Sequence, residues 1–135
     1  MNPAKAKELI NYWKKTAEHS YDTMLALYKS KRYSDCLFYG HLVLEKILKG
    51  HVVKTTKKQT PYIHDLVRLA AIAELDLGEE IIDFLDDVNK FNLRTRYPEY
   101  RLRLYKACTK EFTKKMLDKI IQTYKMLCQK LKQEK

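Results

Sequence analysis

The sequence is poor in residues that interrupt helices or cross-link a fold through disulfides, since its 135 positions include only three prolines, three glycines and three cysteines. Few helix breakers, together with abundant Leu, Ile, Lys and Glu, favour an all-α fold. The cysteines, Cys36, Cys108 and Cys128, lack the spacing of metal ligands and lie at or beside apolar helical positions. We therefore expect reduced structural thiols and no metal site.

Long apolar runs are also lacking, and no stretch approaches the roughly 20 residues that a membrane span needs. The first five residues, Met1 to Lys5, do not contain the apolar core of a signal peptide. The length suits one domain, residues 1–135, with a hydrophobic core of its own. These features predict a soluble, single-domain protein of the cytoplasm that has no contact with a membrane.

Acidic residues become scarce in the last third of the chain. Residues 1–93 hold 14 Lys/Arg and 13 Asp/Glu, a net charge of +1, whereas residues 94–135 hold 13 and 4, a net charge of +9. This asymmetry favours a polyanionic partner, although a lysine-rich solvated helix face is the alternative. An acidic stretch between Glu74 and Asp87 is available to pair with the basic part of this fold or of a partner subunit.

Apolar residues repeat at helical spacing along five segments. The predicted helices begin at Pro3 with Asn2 as its cap, at Tyr33, at Thr60-Pro61, after Gly78 and at about Cys108. They predict an antiparallel up-and-down bundle of about five helices. The last helix carries a second apolar row, Leu117, Ile121 and Cys128, beside its first. Because so wide a stripe suits burial on two sides, we expect a homodimer.

Residues 92–103, which we call the arginine–tyrosine segment, lie between the fourth and fifth predicted helices and are expected to form a long loop. The segment contains Arg94, Arg96, Tyr97, Tyr100, Arg101 and Arg103 around Pro98, with Glu99 as its one acid. Guanidinium groups and aromatic faces suit a phosphate, a nucleotide or an exposed base. Long loops in compact domains are often functional. The segment is therefore the first candidate for a binding site.

The second predicted helix carries polar residues on one face, His41, Glu45 and Lys49, with Lys46 beside them. They indicate either an ordinary row of salt bridges or a strip that faces a cleft, with the two lysines holding phosphate. His64 and Asp65 follow Pro61, where a carboxylate stabilises the start of a helix. No catalytic triad, glycine-rich phosphate loop or cofactor motif is evident, so we predict no catalytic residue and no cofactor.

Three motifs in order resemble the HEPN domain family. They run from Tyr39 to Lys49, from Thr60 to Leu66, and from Asn92 to Glu99, and the last resembles the Arg-Tyr-Pro subgroup found beside minimal nucleotidyltransferases. The resemblance implies a helical bundle, commonly homodimeric, with a nucleotide or RNA site near the loop after the fourth helix. It also implies a minimal nucleotidyltransferase as the partner in a two-component, toxin–antitoxin-like system.

Many HEPN proteins are metal-independent ribonucleases with an Arg-x(4–6)-His motif, but all four histidines of this chain precede Arg94. Our leading prediction is a non-catalytic module that binds nucleotide or RNA through Arg94, Arg96, Tyr97, Arg101, Lys46 and Lys49. His41, Glu45, His64 and Asp65 would form a supporting polar cluster.

Two alternatives to this binding module stay open. A divergent ribonuclease would use Arg96 with His64, His41 or Tyr100. A purely structural role would pair Arg96 with Glu45 or Asp65 and pack Tyr97 against the bundle.

Overall fold

The computed structural model describes residues 1–133, which form six α-helices and one 3-10 turn with no strand among them. The elements are α1 (Pro3–Lys29), α2 (Tyr33–Thr56), α3 (Leu66–Ile72), α4 (Glu79–Asn89), the 3-10 turn (Leu93–Thr95), α5 (Pro98–Ala107) and α6 (Lys110–Lys132). The predicted all-α bundle is confirmed. Within this described part, no helix is long and apolar enough to cross a membrane.

Helix α2 forms the centre of the bundle, because 14 of its 24 residues are buried. Helix α1 packs along it in the opposite direction, with Met24 near Gly40 and Trp13 near Gly50. On another side of α2, Ile120 faces Gly40 and Leu131 faces Gly50, so α6 runs parallel to α2. The two glycines thus lie where neighbouring helices approach α2 closely.

The three short helices carry the chain back to the end of the bundle where α2 begins. This return is what allows α6 to run parallel to α2. Phe91, just after α4, contacts Phe112 at the start of α6, with ring centroids 6.3 Å apart. Gly78 precedes α4 with a φ of 84°, which glycine adopts without the strain that a side chain would bring.

The third helix begins at Leu66, so the predicted start at Thr60-Pro61 was wrong. Asp65 is the N-cap, and its side chain accepts hydrogen bonds from the backbone of Val67 (3.0 Å) and Arg68 (3.4 Å). Residues 62–64 lie outside the helix: the backbone N–H of Ile63 donates to the carbonyl of Pro61 at 2.8 Å, and the carbonyl of His64 accepts a hydrogen bond from the His41 ring. The helix thus starts later than the local proline signal indicates.

The arginine–tyrosine segment is largely helical, so the predicted long loop was also wrong. Helix α5 starts at Pro98, which suits a first helical position, with Glu99 in the first turn where a carboxylate is favourable. No residue of α5, Pro98–Ala107, is buried. A helix without a buried stripe leaves no periodic apolar signal in the sequence, and this explains the error.

The wide apolar stripe of the last helix is used inside the chain. Leu117 is buried in the core, and Ile121 and Cys128 are half-buried and packed against it. The second apolar row therefore reflects packing within one chain, and the width of the stripe does not itself indicate a second subunit.

Candidate functional site

A buried carboxylate, Glu45 of α2, is the centre of a polar cluster. Its Oε1 accepts a hydrogen bond from Arg94 Nη2 at 2.8 Å, and its Oε2 accepts one from Lys49 Nζ at 3.0 Å. Glu45 is only 4% exposed. Because an unpaired buried charge is costly, these two cations are required to keep the carboxylate ionised in the core. We call Glu45, Lys49, Arg94, His41 and His64 the Glu45 cluster.

Two histidines complete the Glu45 cluster. The Nδ1 of His64 lies 3.2 Å from both carboxylate oxygens of Glu45 and 3.2 Å from Arg94 Nη2. The Nε2 of His41 donates to the backbone carbonyl of His64 at 3.0 Å, and its Nδ1 lies 3.7 Å from Glu45 Oε1. His41 is fully buried, whereas the side chains of His64 and Arg94 are about 40% exposed.

The pKa values of the cluster follow from burial and charge. Burial lowers the pKa of His41 to about 4, against the opposing attraction of Glu45, so its ring is neutral at pH 7 with the proton on Nε2. Burial alone would raise the pKa of Glu45, but Lys49 and Arg94 together hold that pKa below its ordinary value. The cluster therefore contains one carboxylate, two cations and a neutral buried imidazole.

Arg94 connects this buried cluster to the surface. Its Nε donates to the side-chain oxygen of Asn92 at 3.1 Å, and its guanidinium lies 5.8 Å from the ring centroid of Phe38. With Glu45 as the third partner, the orientation of Arg94 is fixed from three directions. Its exposed part is held at the edge of the bundle.

The neighbouring arginines gather around Tyr100. The guanidinium of Arg96 lies 4.7 Å from the Tyr100 ring centroid, and that of Arg103 lies 5.9 Å from it. The Tyr100 hydroxyl donates to the backbone carbonyl of Lys90 at 3.2 Å, which fixes the ring against the end of α4. An open depression of about 310 Å³ is lined here by Thr95, Arg96, Tyr97, Glu99, Tyr100 and Arg103.

The residues predicted as binding groups fall into two places. Arg94, Arg96, Tyr97 and Arg101 lie along the surface of the arginine–tyrosine segment, with Tyr97 80% exposed. Lys46 instead donates to Ser20 of α1 at 2.8 Å, and buried Lys49 binds Glu45 and lies 5.3 Å from the Trp13 ring centroid. The structure therefore turns both lysines toward α1 and the interior.

Of the predicted supporting residues, His41, Glu45 and His64 are brought together, but Asp65 is not part of their network. Asp65 caps α3 and accepts a hydrogen bond from Asn89 Nδ2 at 2.9 Å, while Asn89 Oδ1 accepts from the backbone of Leu66. This exchange joins α3 to α4. The role of Asp65 in the structure is that of a helix cap, which its position after Pro61 had indicated.

The structure also corrects the pairing in our structural alternative. Arg94, not Arg96, binds Glu45, while Arg96 Nη2 donates to the backbone carbonyl of Asn89 at 3.4 Å. Tyr97 is exposed and does not pack against the bundle. Sequence reasoning also passed over Asn92 and Phe38, which orient Arg94; the i, i+2 spacing of Asn92 and Arg94 was the available signal.

Comparison with known proteins identifies the fold. The sequence matches the HEPN domain over residues 10–134, which is nearly the whole chain. The chain belongs to the HEPN domain family. Membership supports a nucleotide- or RNA-related role for this HEPN domain in general terms. A search of curated proteins and a search of solved structures each found no match.

Across residues 1–133, no group of three His, Cys, Asp or Glu side chains is placed to hold a metal ion.

Proposed function

We propose that this HEPN domain binds the phosphate of a nucleotide or RNA without cleaving it, on the surface of the arginine–tyrosine segment. The observation that carries the proposal is the pair of guanidinium groups, Arg96 and Arg103, on the Tyr100 ring beside an open depression. Guanidinium forks match phosphate oxygens in two-point hydrogen bonds. The guanidinium groups of Arg96 and Arg103 lie against the Tyr100 ring, which the hydrogen bond to the Lys90 carbonyl holds in place.

The exposed aromatic ring of Tyr97 gives the site a second kind of contact. Tyr97 lines the same depression as Arg96 and is 80% exposed. An exposed tyrosine next to arginines is suited to stack on a base, which contributes about 1–3 kcal/mol per base. Arg101 and Arg94 would extend the positive surface on either side. A nucleotide or a short single-stranded RNA fits this combination of ring and charge.

In this proposal Lys46 and Lys49 support the site without touching the ligand. Lys49 neutralises part of the charge of Glu45, and Glu45 in turn orients Arg94. Lys46 fixes α2 against α1 through Ser20. A phosphate that approached Lys49 would have to displace a buried ion pair, and this would cost several kcal/mol.

Binding without cleavage is the better-supported reading because Arg94 and His64 are both held by Glu45.

A ribonuclease is the second candidate, and one observation favours it. His64 Nδ1 lies 3.2 Å from Arg94 Nη2. The fold thus places a histidine beside this arginine, although the sequence has no histidine after it as the Arg-x(4–6)-His motif requires. Incubating labelled RNA with the protein and a chelator tests this candidate. Cleavage that is lost in His64→Ala and in Arg94→Ala would support it over binding alone.

The binding proposal is tested by titrating labelled ATP and a short labelled RNA at two salt concentrations. The Arg96→Ala/Arg103→Ala variant should bind about tenfold more weakly or worse, since a lost charge-assisted hydrogen bond costs about 1.5–3 kcal/mol. Lys125→Ala/Lys132→Ala removes the same charge from exposed positions on α6 and should bind nearly as wild type does. Absence of binding at low salt, or equal loss in both variants, would refute a specific site.

We also propose that the physiological partner is a minimal nucleotidyltransferase in a two-component, toxin–antitoxin-like system. The support is the Arg-Tyr-Pro motif, Arg96 to Pro98, within a HEPN domain. Coexpression with a nucleotidyltransferase encoded next to this gene tests the pairing. Co-purification in a fixed ratio would support it, and failure of the two proteins to associate would contradict it.

A further inference from the structure

His64 lies between the two members of an ion pair. Its Nδ1 is 3.2 Å from Arg94 Nη2 and 3.2 Å from both carboxylate oxygens of Glu45. A single ring nitrogen can accept a hydrogen bond from the guanidinium or donate one to the carboxylate, but it cannot do both at once. The presence of a proton on Nδ1 therefore decides which member of the pair His64 binds.

Two arrangements of these side chains satisfy the buried carboxylate. Without a proton on Nδ1, His64 accepts from Arg94 Nη2, and Glu45 binds Arg94 and Lys49. With a charged ring, His64 repels the guanidinium and donates to Glu45 in its place, while Lys49 stays at 3.0 Å. Glu45 has two positively charged partners in both arrangements. The exchange thus avoids an unpaired buried charge, which is the costly event in a protein core.

Release from Glu45 changes what Arg94 can offer to a phosphate. Its Nε donates to Asn92 and its Nη2 to Glu45, so within residues 1–133 only its Nη1 makes no hydrogen bond. A two-point hydrogen bond through both terminal nitrogens needs Nη2 as well. Arg94 is partly exposed and precedes Thr95, which lines the depression of the proposed ligand site. Releasing Nη2 therefore gives the ligand a complete fork instead of a single nitrogen.

His64 is the histidine of the Glu45 cluster that can take up this proton. Its side chain is 41% exposed, so its charged form stays hydrated. His41 also turns its Nδ1 toward Glu45, at 3.7 Å, but it is fully buried and burial lowers its pKa to about 4. The charged and titratable groups around His64 are Glu45, His41, Lys46 and Lys49 from α2, Arg94 from the 3-10 turn, and Asp65 beside it in the sequence.

We propose that His64 is a positioning residue for Arg94: when Arg94 moves from Glu45 to a bound phosphate, His64 takes up a proton from solvent and replaces it on Glu45. The inference rests on the proposed function, because it describes how the same site is regulated. Binding linkage is reciprocal, so a ligand whose binding adds a proton binds more tightly as the pH falls. The affinity should rise by up to about tenfold per pH unit in the range in which histidine titrates.

Calorimetric titration of a short single-stranded RNA with hydroxyl ends into the full chain measures this proton. The phosphodiesters of such an RNA do not titrate between about pH 6 and pH 8, where histidine does. Repeating the titration in buffers of different ionisation enthalpy gives the number of protons taken up per RNA bound. We expect a measurable uptake of at most one proton, and an affinity about tenfold higher at pH 6 than at pH 8.

Two variants separate the charge of His64 from its shape. His64→Gln cannot take up a proton, so it should bind RNA at pH 6 as weakly as the wild type does at pH 8. His64→Lys carries its charge at both pH values, so it should bind at pH 8 about as tightly as the wild type does at pH 6. Both variants keep the backbone carbonyl that His41 uses, and circular dichroism would verify that they are folded. His19→Gln, on the exposed side of α1, should keep the wild-type pH profile.

Three results would overturn the inference and leave the ligand site standing: RNA binding that is equal at the two pH values, binding without proton uptake, or a pH dependence that persists in His64→Gln. Weak binding by folded His64→Lys at pH 8 would also overturn it, because a charge at position 64 would then not release Arg94. Failure of the proposed function looks different. In that case no RNA binds at either pH, and the inference falls together with the site.

Discussion

The guanidinium of Arg94 lies 2.8 Å from the carboxylate of Glu45, although 49 positions separate the two residues in the sequence. This ion pair joins the middle of the central helix to the start of the arginine–tyrosine segment. Because Glu45 is buried and Arg94 is partly exposed, the pair fixes the position of Arg94 on the surface where we propose that the ligand binds. Its integrity matters for both stability and binding.

Replacing Glu45 with glutamine should destabilise the fold strongly. The change removes the negative charge but leaves Lys49 and Arg94 in place, and breaking one partner of a buried ion pair costs about 3–5 kcal/mol. Urea denaturation monitored by circular dichroism measures the loss. Glu18→Gln, at an exposed position on α1, should change the free energy of unfolding by less than about 0.5 kcal/mol. Similar effects of the two changes would show that the Glu45 cluster is not an energetic unit.

When the pH is lowered, the protein should begin to lose stability before the pH reaches the range in which carboxylates titrate. The pKa of His41 falls from 6.5 to about 4 on folding, so between these pH values the unfolded chain binds a proton that the folded chain does not. Stability is therefore complete above about pH 6.5 and falls as the pH decreases toward 4. The shift corresponds to roughly 3 kcal/mol at most. Burial lowers the pKa of His51 as well, which adds to the same slope.

Denaturation at a series of pH values between 4 and 7 measures this slope. In His41→Gln the slope should become shallower but should not vanish, because His51 still contributes. His19→Gln, at an exposed position on α1, is the matched control for the substitution itself. An unchanged slope in His41→Gln would mean that His41 takes up its proton in the folded state.

The two glycines of α2 should respond differently to alanine. A Cβ at Gly40 would lie 2.6 Å from Cδ1 of fully buried Ile120, whereas a Cβ at Gly50 would meet Leu131 at 3.5 Å, an ordinary contact. Both changes gain about 0.5–1 kcal/mol of helix propensity, but overpacking costs about 1–3 kcal/mol. Gly40→Ala should therefore be less stable than Gly50→Ala by about 1–3 kcal/mol in thermal or urea unfolding. Equal stabilities would mean that Ile120 moves aside without cost.

The long helices were predictable because they carry their own signals. Asn2 and Pro3 mark the start of α1, and its side-chain cap bond from Lys5 N to Asn2 Oδ1 is 2.8 Å long. The apolar residues of α2 recur at helical spacing, so its burial follows from the pattern. The HEPN motifs then fixed the family, and the match over residues 10–134 bears this out.

The details of the candidate site were less predictable because they depend on pairings between distant elements. The sequence shows that Glu45 can pair with Lys49 four positions later, but it does not show which arginine reaches it. The boundary of α3 and the helical state of α5 were missed for related reasons. Helix α3 starts at the Asp65 cap, to which Asn89 of α4 is hydrogen-bonded, and α5 lacks a buried stripe.

The parallel course of α2 and α6 has a consequence for how the chain folds. Helices α1 and α2 are joined by a short turn and contact each other along their lengths, so their pairing requires closure of a small loop only. Helix α6 can dock beside α2 only after the chain has returned through α3, α4 and α5. We therefore expect the α1–α2 hairpin to acquire amide protection first in pulsed hydrogen exchange, and α6 to follow it. Equal rates of protection in the two would indicate that the whole bundle assembles in one step.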